Sequence, residues 1–125
     1  MTTRKNIAVV GASRNRRKFG NKCVRAYKEA GWEVYPINPR AEEVEGFTAY
    51  PNLDAVPREL NRVALYSPPP RTRRLLPSLP SQVEIFFNPG TADANILQEA
   101  RSLGLEVRDA CAIVAIGFSP SQFGE

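Results

Sequence analysis

Ile7-Ala8-Val9-Val10-Gly11-Ala12-Ser13-Arg14-Asn15-Arg16-Arg17-Lys18-Phe19-Gly20 is the stretch whose reading decides the fold. Its four consecutive apolar residues read as a strand covered on both faces, the habit of a central strand in a parallel sheet. Gly11 breaks the run where the chain must turn sharply, because glycine has no Cβ to clash in a left-handed conformation. From about Gly20 the apolar period changes. Cys23, Val24, Tyr27 and Ala30 recur at helical spacing, and Gly31 stands where such a helix would end. The unit is strand, small-residue turn, basic loop, helix. Backbone N–H groups left over at the turn and at the helix N-terminus attract anions. The Arg and Lys side chains beside them point to phosphate.

The rest of the chain repeats this alternation. Residues 33–37 read as a strand that runs into a loop at Asn38-Pro39-Arg40. Residues 41–45 are charged and expected to be exposed, and residues 46–50 read as a short strand closed by Pro51. One helical turn is expected within residues 53–60, with Asp54 as its cap. Residues 63–67 are a clear strand, ended by Pro68-Pro69-Pro70. Leu75, Leu76 and Leu79 suggest an amphipathic helix after Pro70. Pro77 and Pro80 keep it short, since an interior proline costs about 3 kcal/mol. Residues 83–87 form the next strand, turned by Asn88-Pro89-Gly90. Ile96, Leu97, Ala100 and Leu103 mark a helix capped by Thr91 or Asp93 and stopped by Gly104. Residues 105–109 are the last strand. Residues 110–118 carry no clear pattern, and the tail from Ser119 is expected to be loosely held. Strands alternating with helices predict one α/β domain: a doubly wound, mostly parallel sheet with helices on both faces.

The composition narrows the chemistry. The 125 residues suffice for one domain with a real core. Lys and Arg number 17 against 13 Asp and Glu, a net charge of +4 that favours anionic partners. The chain has no His, so it lacks the commonest base and metal ligand, and its two cysteines make neither a disulfide framework nor a zinc cluster. No catalytic constellation is visible. The first six residues are too short and polar for a signal peptide. The longest apolar run, residues 110–118, is far below the roughly 20 residues a membrane span needs. These features predict a reduced, soluble cytoplasmic protein with no membrane partner. Cys23 reads as core. Cys111 lies beyond the last strand, near the expected site, and is read first as a small buried hydrophobe. Tyr66 is read as core, and for Phe19 packing is favoured over covering the phosphate loop.

In open parallel sheets, ligands bind at the carboxyl ends of the strands, where the strand order reverses. Those ends carry Gly11-Ala12-Ser13, Asn38-Pro39-Arg40, Ser67-Pro68-Pro69, Asn88-Pro89-Gly90 and Asp109-Ala110-Cys111. Two basic clusters follow two of them: Arg14, Arg16, Arg17 and Lys18, then Arg71, Arg73 and Arg74. The strand ending at Ser67 is expected beside the first strand, so both clusters would flank one crevice. A dinucleotide fingerprint has three glycines and an acid closing the second strand. Here Ser13 replaces the second glycine, a longer basic loop precedes Gly20, and Asn38 with Arg40 closes the second strand. A missing carboxylate counts against NAD. An arginine there suits a phosphate on the adenosine ribose, as in NADP or coenzyme A.

Taken together these residues resemble a family. Ile7-Ala8-Val9-Val10-Gly11-Ala12-Ser13, Lys18-Phe19-Gly20-Asn21, Tyr35-Pro36-Ile37-Asn38-Pro39, Gly46 with Tyr50-Pro51, Asn88-Pro89-Gly90 and Cys111 are similar to the small bacterial CoA-binding proteins made of a stand-alone Rossmann-like domain. These in turn look like the N-terminal CoA-binding domain of the succinyl-CoA synthetase α-subunit. The resemblance implies a Rossmann-like fold across residues 1–125 and the non-catalytic binding of coenzyme A or an acyl-CoA. It implies that Gly11, Ala12 and Ser13 meet the pyrophosphate with Lys18 nearby. Asn38, Pro39 and Arg40 would lie near the 3′-phosphoadenosine, and Ser67, Pro68 and Pro69 along the adenine or pantetheine path. Arg14, Arg16, Asn88, Pro89 and Gly90 complete the candidate site. Pro77 and Pro80 depart from the family in breaking a usually longer helix, and the segment after Cys111 is short and divergent. The synthetase's phosphorylated histidine and nucleotide-grasp domain have no counterpart in these residues. The partner expected is a small-molecule nucleotide, with a homo-oligomer allowed. The alternatives are a small NADP-binding reductase or reductase subunit and a nucleic-acid binder, the latter without a recognised motif.

Overall fold

A computed structural model describes residues 4–125. In chain order the elements are β1 (Asn6–Val10), α1 (Phe19–Glu29), β2 (Glu33–Ile37), β3 (Glu43–Val44), β4 (Phe47–Thr48), β5 (Arg62–Leu65), α2 (Pro69–Leu75), β6 (Glu84–Phe87), α3 (Ala94–Ser102) and β7 (Glu106–Arg108). Five strands pair in parallel in the order β2-β1-β5-β6-β7. The order reverses between β1 and β5, which places the switch point where the sequence predicts it. Val10 lies opposite both Ile37 and Leu65, and Leu65 opposite Phe87, so four strands end level and their loops share one edge.

Strict alternation along the strands builds two cores. Ile7, Val9, Ala64 and Phe86 face α1, packing on Cys23, Val24 and Tyr27. Ala8, Val10, Val63, Leu65, Ile85 and Phe87 face the other way, against Leu76 beyond α2 and Ile96, Leu97 and Ala100 of α3. The fold is a single Rossmann-like, doubly wound α/β domain with helices on both faces. Gly31 and Gly104 end α1 and α3 with φ of +87° and +80°. Helix α2 starts at Pro69, inside the proline run, because a first-turn proline sacrifices only an N–H that has no helical partner. Pro77 then converts it into a 3₁₀ turn over Leu76–Ser78. Asp93, not Thr91, caps α3, accepting from Ile96 N at 2.8 Å.

Three sequence expectations need correction, and residues 110–118, which carry no clear pattern in the sequence, take a definite form. Residues 41–45 are not simply exposed: Glu43–Val44 pairs with Phe47–Thr48 as a hairpin that buries Val44 against α1's side of the sheet. The turn Leu53–Ala55 is capped by Asn52, whose side chain accepts from Ala55 N at 3.0 Å, rather than by Asp54. Residues 110–118 turn back over β6, burying Ala112 and Ile113, and form a 3₁₀ turn over Val114–Ile116. The tail is held: Phe123 is 8% exposed, meets Phe118 edge-on at 5.4 Å, and follows a 3₁₀ turn with a complete capping box.

Candidate functional site

The site is organised by the turn after β1. Gly11 has φ +86°, and a Cβ there would stand 2.4 Å from the Tyr66 carbonyl at the end of β5. Gly20 in the first turn of α1 is equally constrained, because its Cβ would meet the Gly11 carbonyl oxygen at 2.3 Å. Helix α1 therefore rests directly on the turn. No side chain caps its N-terminus, and neither Ala12 nor Ser13 N–H meets an acceptor among the described residues. The turn and the helix end together present unpaired donors to one place, the arrangement that suits phosphate oxygens.

Three asparagines fix the loops around it. Asn38 donates from Nδ2 to the Ala12 carbonyl at 2.9 Å, and its Oδ1 accepts from Arg40 N at 2.8 Å and Ala41 N at 2.9 Å. The end of β2 is thereby tied to the glycine turn. Asn21, fully buried in α1, donates to the Ser13 carbonyl at 2.8 Å. Asn88, 2% exposed, donates to the Leu65 carbonyl at 2.9 Å and accepts from Ala112 N at 2.8 Å, joining β5, β6 and the C-terminal segment. A buried amide so engaged is part of the scaffold.

Between these loops runs a cleft of about 630 Å³. Gly11, Ala12, Ser13 and Lys18 form one wall, Asn38, Pro39 and Arg40 a second, and Tyr66, Pro68, Arg71 and Ser78 a third. Pro51, Asn52, Leu53 and Asp54 close one end, Asp54 being the one carboxylate in the lining. A second compartment of about 370 Å³ opens past Gly11, Lys18, Tyr66 and Pro68, and is bounded further on by Phe19, Ser67, Pro89, Gly90 and Thr91. Phe19 corrects the packing expectation: it is 57% exposed and lines this compartment, with Lys22 Nζ 5.1 Å from its ring centre.

The basic clusters divide. Among the described residues Lys18, Arg40 and Arg71 line the cleft without an ion-pair partner. Arg16 instead pairs with Glu45 at 3.4 Å, Arg17 with Glu125, and Arg73 with Glu99 at 3.4 Å. Arg14 lies in an adjoining depression shared with Arg40. Of the sequence-derived candidates, Gly11, Ala12, Ser13, Lys18, Asn38, Pro39, Arg40 and Pro68 line the main cleft, and Ser67, Pro89 and Gly90 the second compartment. Arg14, Arg16, Pro69 and Asn88 line neither. Ser67 is turned inward, its Oγ 2.7 Å from Thr72 Oγ1. Arg71, Asp54, Tyr66 and Thr91 join the lining without having been among the candidates. Of these, Arg71 had a signal, the charge following a strand-end proline run.

Beneath the second compartment, burial pushes the Cys23 thiol up to about 12 and the Tyr66 hydroxyl well above its usual range. The Tyr66 hydroxyl lies beside Cys23 without a hydrogen bond of ordinary geometry. Cys111 packs partly buried against the same core and lines neither compartment. Among the described residues no three His, Cys, Asp or Glu side chains are grouped to hold a metal ion, and no helix is long and apolar enough to cross a membrane.

Comparison with known proteins supports the fold and shows the family. A family model described as CoA binding domain matches residues 5–117. The α subunit of the ADP-forming acetate–CoA ligase II of Pyrococcus furiosus is 38% identical over 65 residues, which are 51% of this chain and 14% of that protein. An ADP-forming acetate–CoA ligase II of Archaeoglobus fulgidus is 33% identical over 66 residues, 51% of this chain and 10% of that protein. The chain thus spans 14% or less of the length of these curated relatives. Among solved structures, a conserved hypothetical protein from Pyrococcus furiosus superposes with a TM-score of 0.77 at 26% identity, covering 90% of this chain and 99% of that one. The dinucleotide-forming acetyl-coenzyme A synthetase 1 of Ca. Korarchaeum cryptofilum superposes with a TM-score of 0.69 at 26% identity, covering 82% of this chain and 25% of that one.

Proposed function

Because this chain belongs to the CoA binding domain family, we propose that it binds coenzyme A or an acyl-CoA in the two-compartment cleft. The observation that carries this reading is the set of uncompensated cations, Lys18, Arg40 and Arg71, around a glycine turn with unpaired N–H groups. The pyrophosphate meets the Gly11–Ser13 backbone and Lys18. The 3′-phosphate lies toward Arg40 at the end of β2, where a dinucleotide domain would place a ribose-binding acid. The pantetheine arm passes Pro68 into the second compartment, beside Ser67, Pro89 and Gly90. Lys18 and Tyr66 are the titratable groups of that compartment, and the Tyr66 hydroxyl points into the core. The reading is therefore one of binding without chemistry by these residues, in a reducing cytoplasm where Cys111 stays a thiol.

Thermal shifts with coenzyme A, dephospho-CoA, NADP and NAD at equal concentration test the proposal. A ligand at 100 times its dissociation constant adds about 2.7 kcal/mol, several degrees for a domain of this size. A shift with coenzyme A that weakens with dephospho-CoA supports the site and the 3′-phosphate assignment. A response confined to NADP replaces it with the reductase reading, and no response to any of the four removes it.

A further inference from the structure

Glu45 occupies the tip of the β3–β4 hairpin with φ +50°, followed by Gly46 at +88°. Two successive left-handed residues make the tight hairpin turn whose first position ordinarily holds Asn, Asp or Gly. A glutamate there carries backbone strain that those residues would avoid. What the position gains is reach. Glu45 Oε2 accepts from Asn21 Nδ2 at 3.1 Å and lies 3.4 Å from Arg16 Nε. The same Asn21 amide group donates to the Ser13 carbonyl, and its oxygen accepts from Arg25 Nε at 2.7 Å. Arg25 in turn donates to the Arg16 carbonyl at 2.8 Å. Lys28 Nζ, on α1, donates to the Glu45 carbonyl at 2.9 Å and holds the hairpin tip down.

One carboxylate thus closes a circuit around the loop between β1 and α1 from outside the strand–helix unit. Within the loop itself the side-chain bonds are local: Asn15 N to Ser13 Oγ and Arg17 N to Asn15 Oδ1, both 3.0 Å. Its arginines are exposed, and Arg17 has a further partner outside the unit in Glu125, which bonds to neither Asn21 nor Arg16.

We propose that Glu45 is a positioning residue for the anion-binding loop. Through Asn21 and Arg16 it holds residues 13–18 in the conformation that sets Ser13 and Lys18 in the cleft wall, at the expense of the hairpin's own backbone. The ligand side of this inference rests on the coenzyme A reading above; the bracket itself does not.

The test is a pair of variants. Glu45→Asn suits the turn and is too short to reach Asn21. Its melting temperature is expected to stay within about 2 °C of wild type or rise, because relieved strain offsets the lost contacts. Its dissociation constant for coenzyme A is expected to rise about tenfold, as follows when the ligand-ready population drops to about one in ten. Trypsin is expected to nick the loop after Arg14, Arg16 or Arg17 about tenfold faster, since cleavage follows the open population. Glu45→Gln keeps the acceptor for Asn21, and should retain affinity within about threefold and the slow nicking. Wild-type affinity and wild-type nicking in Glu45→Asn overturn the proposal. A melting temperature several degrees lower in Glu45→Asn also overturns it, because the residue then serves stability. If wild-type protein does not bind coenzyme A, the functional reading fails, and the nicking rate alone decides on the bracket.

Discussion

The backbone of Gly20 packs on that of Gly11: a Cβ on Gly20 would stand 2.3 Å from the Gly11 carbonyl oxygen. This contact seats the first turn of α1 on the turn after β1. Two glycines at that spacing do the work of turning the chain and packing helix on strand, and the longer basic loop between them leaves its cations free to be sorted by the rest of the fold.

Replacing either glycine should therefore separate helix from turn. In Gly20→Ala the obstacle is backbone, which cannot swing aside, so a cost of about 1–3 kcal/mol is expected. Gly11→Ala adds left-handed strain of about 1–2 kcal/mol to an equally close contact with Tyr66. Denaturant midpoints should fall in the order wild type, Gly20→Ala, Gly11→Ala. A Gly11→Ala midpoint equal to wild type would contradict the geometry.

The division of the basic residues makes a second prediction. Removing Lys18, Arg40 or Arg71, each to Ala, should weaken coenzyme A by about 10–100-fold, the value of a charge-assisted hydrogen bond of about 1.5–3 kcal/mol. Arg17→Ala and Arg73→Ala should leave affinity unchanged, because those guanidiniums face Glu125 and Glu99. Calorimetric titration of the five variants separates a sorted cluster from a diffuse positive surface, which would weaken all five alike.

Asn88 belongs to the scaffold. Asn88→Ala leaves the Leu65 carbonyl and Ala112 N without their partner in the interior. A loss of about 1–3 kcal/mol per orphaned group is the expected cost. A melting curve shifted down by several degrees checks this, and an unshifted curve would show that water replaces the amide.

Alkaline pH should destabilise the fold. Burial raises the Cys23 thiol from 9.0 to about 12 and the Tyr27 hydroxyl from 10.0 to about 12, and it raises Tyr66 further. These acids stay protonated in the folded chain after the unfolded chain has lost their protons. The stability they hold is complete below about pH 9 and declines from there toward about pH 12. Melting temperature against pH should bend downward near 9, and in Cys23→Ala the bend should move toward 10, where the tyrosines take over. A curve flat to pH 11 in the wild type would remove the assignment.

Much of the fold was legible because its signals are local. The unbroken apolar run at Ile7 to Val10, the helical spacing of Cys23, Val24 and Tyr27, and the glycines and prolines at each strand end are written within a few residues of what they specify. The strand-end rule then located the cleft. Of the hairpin, Phe47–Thr48 lies within the strand expected over residues 46–50, whereas Glu43–Val44 was missed because a two-residue strand is too short to show a period. The tail was misjudged because its anchor is Phe123, buried in the core on α1's side of the sheet with the Arg25 guanidinium 6.0 Å from its ring, a contact between residues far apart in the chain.

Local order in the chain thus settled the element sequence and the parallel sheet and pointed to the edge that carries the cleft, since periodicity and turn chemistry act over neighbouring residues. Tertiary structure alone decided which groups at that edge are available. Arg16, Arg17 and Arg73 are taken by Glu45, Glu125 and Glu99, and Asn38 and Asn88 are taken by main-chain groups of other loops. Lys18, Arg40 and Arg71 are left for the cleft. Whether a charge is spent inside the protein depends on partners far away in sequence, and only the folded chain brings them within reach.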